Sequence, residues 1–128
     1  MFDREFVSEI LSQILEASRR IERRSAAIRT ADDFLANEEG IDKLAAICMM
    51  LIAIGESLKN LDKITEGKLL VTHPEIDWKG AKGIRDIISH HYFDLNAEIV
   101  FSVCMDRLPS LVEAVKQMQC EVELTDGE

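Results

Sequence analysis

Arg85, His90 and Tyr92 stand in the spacing Arg-x4-His-x-Tyr, and these residue types suit phosphate chemistry. Arg presents a planar fork of donors that grips a phosphate through two parallel hydrogen bonds. His gives and takes a proton near pH 7. Cleavage of an RNA phosphodiester needs a base for the 2′-hydroxyl proton, an acid for the leaving oxygen and positive charge for the crowded phosphorane. Arg85 and His90 supply these types without a metal-binding cluster in the sequence. The stretch from Trp78 to Tyr92 is also the only place where the Trp, two glycines, two histidines and the single Tyr lie together. It reverses the local sign of charge. Lys79, Lys82 and Arg85 face Asp86 alone, in a chain whose net charge is −9.

Spacing leaves two readings of these residues open. At about 100° per residue Arg85 and Tyr92 nearly share a helix face, while His90 lies roughly 140° from Arg85. A regular helix does not aim Arg85 and His90 at one point. Either the helix ends at His90, or a second copy completes the site across a two-fold axis. In the structural reading Arg85 pairs with Glu56 or Asp86 and His90 packs as a polar plug. Tyr92 is either an exposed hydroxyl, where the helix gives way to Phe93-Asp94-Leu95, or a core phenol bonded to a backbone carbonyl.

The elements that must position this stretch are helical. The chain has 128 residues, 47% apolar but only 5% aromatic, with 2 Pro and 6 Gly. That composition builds one domain of few, long helices with a Leu, Ile, Val, Ala and Met interior. The expected fold is all-α: an up-and-down bundle of four to five main helices over residues 1–120, with an acidic tail at 121–128 that frays. The three cysteines are odd in number and widely spaced. They form no CxxC pair or Cys/His cluster, so Cys48 and Cys104 read as small core residues in a reducing cytoplasm. The start lacks a signal-peptide core. The apolar run Leu44 to Ile54 is too short to span a bilayer, so no membrane role is expected. The net charge argues against general nucleic-acid binding through many basic contacts. Charge is uneven, however: residues 19–29 carry five arginines, and residues 32–42 carry five acids and no cation.

Apolar spacing predicts a first helix over 2–29. Thr30 caps a short helix, with Asp33 at the box position, and Asn37 to Gly40 forms a turn. A second long helix runs from Ile41 to about Lys63 with two stripes: Ile41, Leu44, Cys48, Leu51, Gly55, Leu58, and Ile47, Met50, Ile54, Leu61. This is more apolar surface than one small bundle buries, which predicts a symmetric homodimer. Residues 64–77 form a connection in which His73, before Pro74, is a loop residue rather than a ligand. Asp77 caps a helix running from Trp78 to about His91, with Trp78, Ala81, Ile84 and Ile88 inward. Gly80 and Gly83 cost that helix about 1 kcal/mol each relative to Ala, which signals close backbone packing. The last helix runs from Asn96 to about Gln119, and Pro109 kinks or restarts it.

The run Asp77-Trp78-x-x-Ala81-x-Gly83-Ile84-Arg85-Asp86-Ile87-Ile88-Ser89-His90-His91-Tyr92-Phe93 resembles the HEPN superfamily. With Ile54-Gly55-Glu56 on the preceding helix and Leu108-Pro109 on the last, it is most similar to the toxin branch paired with minimal nucleotidyltransferase antitoxins. The resemblance covers nearly the whole chain. It implies a dimerising helical bundle with two motifs in one cleft, and a ribonuclease that needs no metal or other cofactor and uses Arg85 and His90. It implies further that Tyr92 is the hydroxyl on which a nucleotidyltransferase antitoxin places AMP, silencing the toxin. Glu56, Lys82, Asp86 and Ser89 are the candidate supporting residues. One position departs from the pattern. Active members often carry Asn or another polar residue directly after the motif Arg, where this chain has Asp86, whose carboxylate repels phosphate or orients a histidine. The alternatives are a non-catalytic helical dimer that binds a nucleotidyltransferase or its substrate, and a plain helical interaction protein.

Overall fold

A computed structural model of the chain describes residues 3–89 and 97–126, and every regular element in it is helical. Helix α1, Arg4–Ser25, is shorter than the stripe predicts because both ends are closed by local chemistry. The Asp3 carboxylate accepts from the Glu5 and Phe6 amides at 3.0 and 3.2 Å, satisfying amides that have no partner inside the helix. At the other end Ser25 is followed by a turn and a 3₁₀ helix, Ala31–Leu35. There the Asp33 carboxylate accepts from the Arg29 and Thr30 amides at 2.8 and 3.2 Å, as the box reading requires. These hydrogen bonds hold the Asp33 pKa below its ordinary value. Phe34 is fully buried beneath this corner.

Helix α2, Glu38–Ile64, begins earlier than Ile41. Asn37 to Gly40 is therefore a cap and first helical turn, not a separate turn. The Asn37 side chain accepts from the Gly40 amide at 2.8 Å. A Cβ at Gly40 would stand 2.6 Å from the Asp33 carbonyl oxygen and 2.7 Å from that of Phe34. Only glycine lets the start of α2 tuck under the 3₁₀ helix. Both predicted stripes of α2 face the core except at their edges, where Ile41 is exposed and Met50 half-buried. Helix α1 packs against α2 and also against the last helix.

The connection after α2 contains a short 3₁₀ helix, Leu70–Thr72, and then His73. That residue is in a loop, as read from the sequence, but it is buried. Its carbonyl accepts from the Trp78 indole N–H at 2.9 Å. Its ring nitrogens lie 3.3 Å from Glu75 and 3.3 Å from Glu121. The Nε2 approach to Glu121 is close but is not aligned as a hydrogen bond. His73 thus ties the connection to the start of the next helix through its carbonyl.

The helix predicted over 78–91 is broken. Helix α3, Trp78–Lys82, is capped by Asp77, whose carboxylate accepts from the Gly80 amide at 3.0 Å. Helix α4 is Ile84–Ser89. Gly83 stands between them, with its amide turned back to the Lys79 carbonyl at 3.0 Å. Both short helices lie on α2. After residue 97 the chain runs through α5, Ala97–Ser102, a π turn, Val103–Arg107, and α6, Leu108–Asp126. The Leu108 amide reaches back to the Val103 carbonyl. Pro109 has no amide and its ring would clash with the carbonyl four residues earlier; the wider turn makes room for it, so the helix restarts rather than stops. Helix α6 continues to Asp126, past Gln119 and through the acidic stretch expected to fray. No helix among the described residues is long and apolar enough to cross a membrane.

Cys48 and Cys104 are in the core, and burial pushes both thiols up to about 11. Cys120 is exposed. At neutral pH an aromatic disulfide reagent should therefore modify one thiol quickly in the native protein, and the three cysteines of the chain only after denaturation. Rapid native reaction at Cys48 or Cys104 would contradict this packing.

Candidate active site

Gly55 lies on the buried face of α2, opposite the junction of α3 and α4. A Cβ there would stand 3.0 Å from the Ala81 carbonyl oxygen and 3.0 Å from Ile84 Cγ2. The absent side chain is what lets the two short helices press onto α2. Ile84 and Ile88 are buried and anchor α4, which turns Arg85, Asp86 and Ile87 outward.

The residue after Gly55 then meets the residue after Ile84. Glu56 Oε1 accepts from Arg85 Nη1 at 3.2 Å, and Lys59 Nζ lies 3.7 Å from the same oxygen. The Arg85 side chain is 59% exposed and that of Glu56 43%. An ion pair this open contributes about 0–1 kcal/mol, so its effect is to aim the guanidinium rather than to hold the helices together. Among the described residues Glu56 meets the Arg85 guanidinium at one nitrogen, which leaves the other donors of the fork to an incoming anion.

Beside this pair an open groove is lined by Lys59, Asp62, Lys79, Lys82, Gly83 and Asp86. Lys82 Nζ lies 2.9 Å from Asp62 Oδ2, and both side chains are more than two-thirds buried. Of the residues singled out in the sequence, Arg85, Glu56, Lys82 and Asp86 come together here. Glu56 partners Arg85, one of the two partners the structural reading allowed. Ser89 is the last residue of α4. His90, His91 and Tyr92 lie outside the described residues. Lys59 and Asp62 went unnoticed in the sequence. Their three-residue spacing after Glu56 was the available signal, since it puts all three along one side of α2. Among the described residues no group of three His, Cys, Asp or Glu side chains is arranged to hold a metal ion.

Three comparisons bear on this arrangement. A family model described as ribonuclease HepT-like matches residues 14–118. A protein of Methanocaldococcus jannaschii, named as a candidate RNase, is 30% identical over 97 residues, covering 76% of this chain and 74% of the relative. One of Thermococcus cleftensis, named as a candidate ribonuclease HepT, is 31% identical over 103 residues, covering 80% of this chain and 86% of the relative. One of Caldanaerobacter subterraneus subsp. tengcongensis, named as a candidate RNase, is 34% identical over 73 residues, covering 57% of this chain and 62% of the relative. No solved structure matches the chain.

If packing at Gly55 rather than the ion pair sets the position of α4, two substitutions should separate. Gly55→Val should cost about 1–3 kcal/mol, through overpacking against the α3 backbone. Glu56→Gln should cost under about 1 kcal/mol. Urea unfolding of the two variants measures both; a larger loss in Glu56→Gln would reverse the assignment.

Proposed function

The chain belongs to the ribonuclease HepT-like family, and on that premise we propose that it is an endoribonuclease toxin that cuts RNA without a metal. Arg85 clamps the scissile phosphate and His90 moves the proton. A base takes the 2′-hydroxyl proton, the 2′-oxygen attacks phosphorus, and the 5′-oxygen leaves with a proton from the acid. The products are a 2′,3′-cyclic phosphate and a 5′-hydroxyl end. The observation that carries this reading is the Arg85 guanidinium, aimed by Glu56 at 3.2 Å yet 59% exposed beside a lysine-lined groove. The role of His90 rests on its place in the Arg-x4-His motif.

One motif histidine per chain supplies either the base or the acid at a given moment. Two copies facing each other meet both needs. Helix α2 carries an apolar strip suited to such a pairing: Ile41, Ala45, Met49 and Ala53 are exposed at four-residue spacing, with Met49 74% exposed. The strip leads, one turn on, to Glu56 and so to Arg85. A homodimer built on it brings two Arg85 sites towards one cleft.

A second reading keeps the dimer and drops the chemistry. It is favoured by the carboxylates around Arg85: Glu56 already occupies part of the guanidinium, and Asp86 is adjacent in sequence and in the groove. In that case the surface binds a nucleotidyltransferase or its substrate without cutting RNA. In the ribonuclease reading a nucleotidyltransferase antitoxin is the regulator. It transfers AMP from ATP to the Tyr92 hydroxyl, releasing pyrophosphate. The added phosphate puts negative charge beside the clamp and the nucleotide fills the cleft.

Two experiments test this. The active species should be a dimer of the 14.5 kDa chain that cleaves RNA in EDTA and leaves cyclic phosphate ends. Arg85→Ala and His90→Ala should each lose about 10²-fold or more in rate, and His91→Ala much less. Activity that survives His90→Ala, or that requires magnesium, selects the binding reading. Co-expression with a nucleotidyltransferase antitoxin should add one or more AMP masses to the intact protein and abolish cleavage, and Tyr92→Phe should prevent both. An unmodified but inhibited complex would mean that the antitoxin works by occlusion.

A further inference from the structure

The groove beside Arg85 has a charge pattern that the cleavage chemistry does not use. Helix α2 contributes Lys59 and Asp62 to one wall, and the α3–α4 pair contributes Lys79, Lys82, Gly83 and Asp86 to the other. Three lysines face two aspartates in a chain of net charge −9, so the local sign is reversed. The three lysines are not equivalent. Lys82 is held at 2.9 Å by Asp62, and Lys59 lies 3.7 Å from Glu56. Lys79 has no ion-pair partner among the described residues, and it is exposed. A paired lysine has much of its field offset by its carboxylate. An unpaired, exposed one offers its full charge and three donors to an anion. Gly83 contributes no side chain to the groove between Lys79 and Asp86, which leaves that stretch low.

The groove is also continuous with the clamp. Glu56 holds Arg85, Lys59 stands one turn further along α2, and Asp62 with Lys82 stands a turn beyond that. At 1.5 Å per residue, Glu56 to Asp62 spans about 9 Å. Lys79 lines the same groove as Asp86, the residue after Arg85, so an anion bound at Lys79 would sit in the groove that runs past the clamp.

We propose that this groove holds the RNA strand next to the scissile phosphate, with Lys79 as the contact to a neighbouring backbone phosphate. Lys59 and Lys82 are tethered by Glu56 and Asp62, so they shape the walls and do not bind the phosphate directly. The groove is an open surface feature, and none of the described residues that line it is aromatic, so these residues offer no platform for stacking bases. It follows the backbone and does not read sequence. Lys79 is a positioning residue here. The inference rests on the ribonuclease reading for its substrate, though not for its binding test.

The test uses the full chain and a short, fluorescein-labelled 2′-O-methyl RNA, which lacks the nucleophile and cannot be cut. Its affinity is followed by anisotropy over a range of KCl concentrations. Lys79→Gln should weaken binding to several unrelated sequences alike and lower the salt slope by about 0.7, the value for one lost contact to a single strand. Lys79→Arg should restore both. In cleavage assays Lys79→Gln should raise KM and leave kcat in place. If wild-type protein binds the RNA with this Lys79 dependence but cleaves none, the groove stands and the ribonuclease reading falls. If Lys79→Gln leaves affinity and slope unchanged while wild-type protein cleaves RNA, the groove assignment is wrong and the ribonuclease reading survives. If Lys79→Gln instead weakens only the binding of polyglutamate, the groove is an acidic-peptide site and the proposal is overturned.

Discussion

The close approach of α3 and α4 to α2 at Gly55 is the contact on which the site depends. No side chain stands at that point, so the Ala81 carbonyl and the Ile84 side chain come to within 3.0 Å of where a Cβ would be. Everything chemical sits on the flanks of that contact. Glu56 follows Gly55, Arg85 follows Ile84, and the two meet at 3.2 Å. Further along the same seam Lys82 meets Asp62. These pairs are too exposed, or too few, to hold two short helices in place by themselves. Burial of Ile84 and Ile88 does that, and the charged groups report the geometry it sets.

The remainder of the fold fixes both ends of the segment that carries His90 and Tyr92. It leaves from buried Ile88 and returns at buried Ala97. Helix α5 continues from Ala97 into the π turn, which accommodates Pro109 and lets α6 run on against α1. At the far end of α6, Glu121 approaches the buried His73, whose carbonyl receives the Trp78 indole at the start of α3. The connection before the site is thereby bonded to the start of α3 and lies beside the last helix. Arg85 is presented by a helix packed on α2, not by a loop.

Much of this was legible in the sequence. Two apolar stripes announced α2 as central, and the caps at Asp33 and Asp77 were readable as cap chemistry. Gly80 and Gly83 were read as signs of close packing, but a Cβ at either would meet only the Asp77 cap or carbonyls of α3 itself; the close approach is at Gly55. The family resemblance rested on the 77–93 run and is shown by the match over residues 14–118. What escaped had specific reasons. Asn37 and Gly40 look like a turn because their role is set by the Asp33 and Phe34 carbonyls above them, a contact invisible in the local pattern. The break at Gly83 is hidden because Ile84 and Ile88 keep the apolar spacing across it. His73 before Pro74 carries every mark of an open loop, and only the packing of α6 makes it buried. The Lys82–Asp62 pair joins residues from different helices, which no spacing rule relates.

In the proposed ribonuclease, packing at Gly55 acts on RNA cleavage through Arg85. A double-mutant cycle measures it directly: kcat/KM for RNA cleavage by wild type, Gly55→Ala, Arg85→Ala and the double variant. If the glycine serves to place the guanidinium, Gly55→Ala should slow the wild type but add nothing once Arg85 is gone. Fully additive losses in the double variant would mean that the two residues act independently, and would contradict the account.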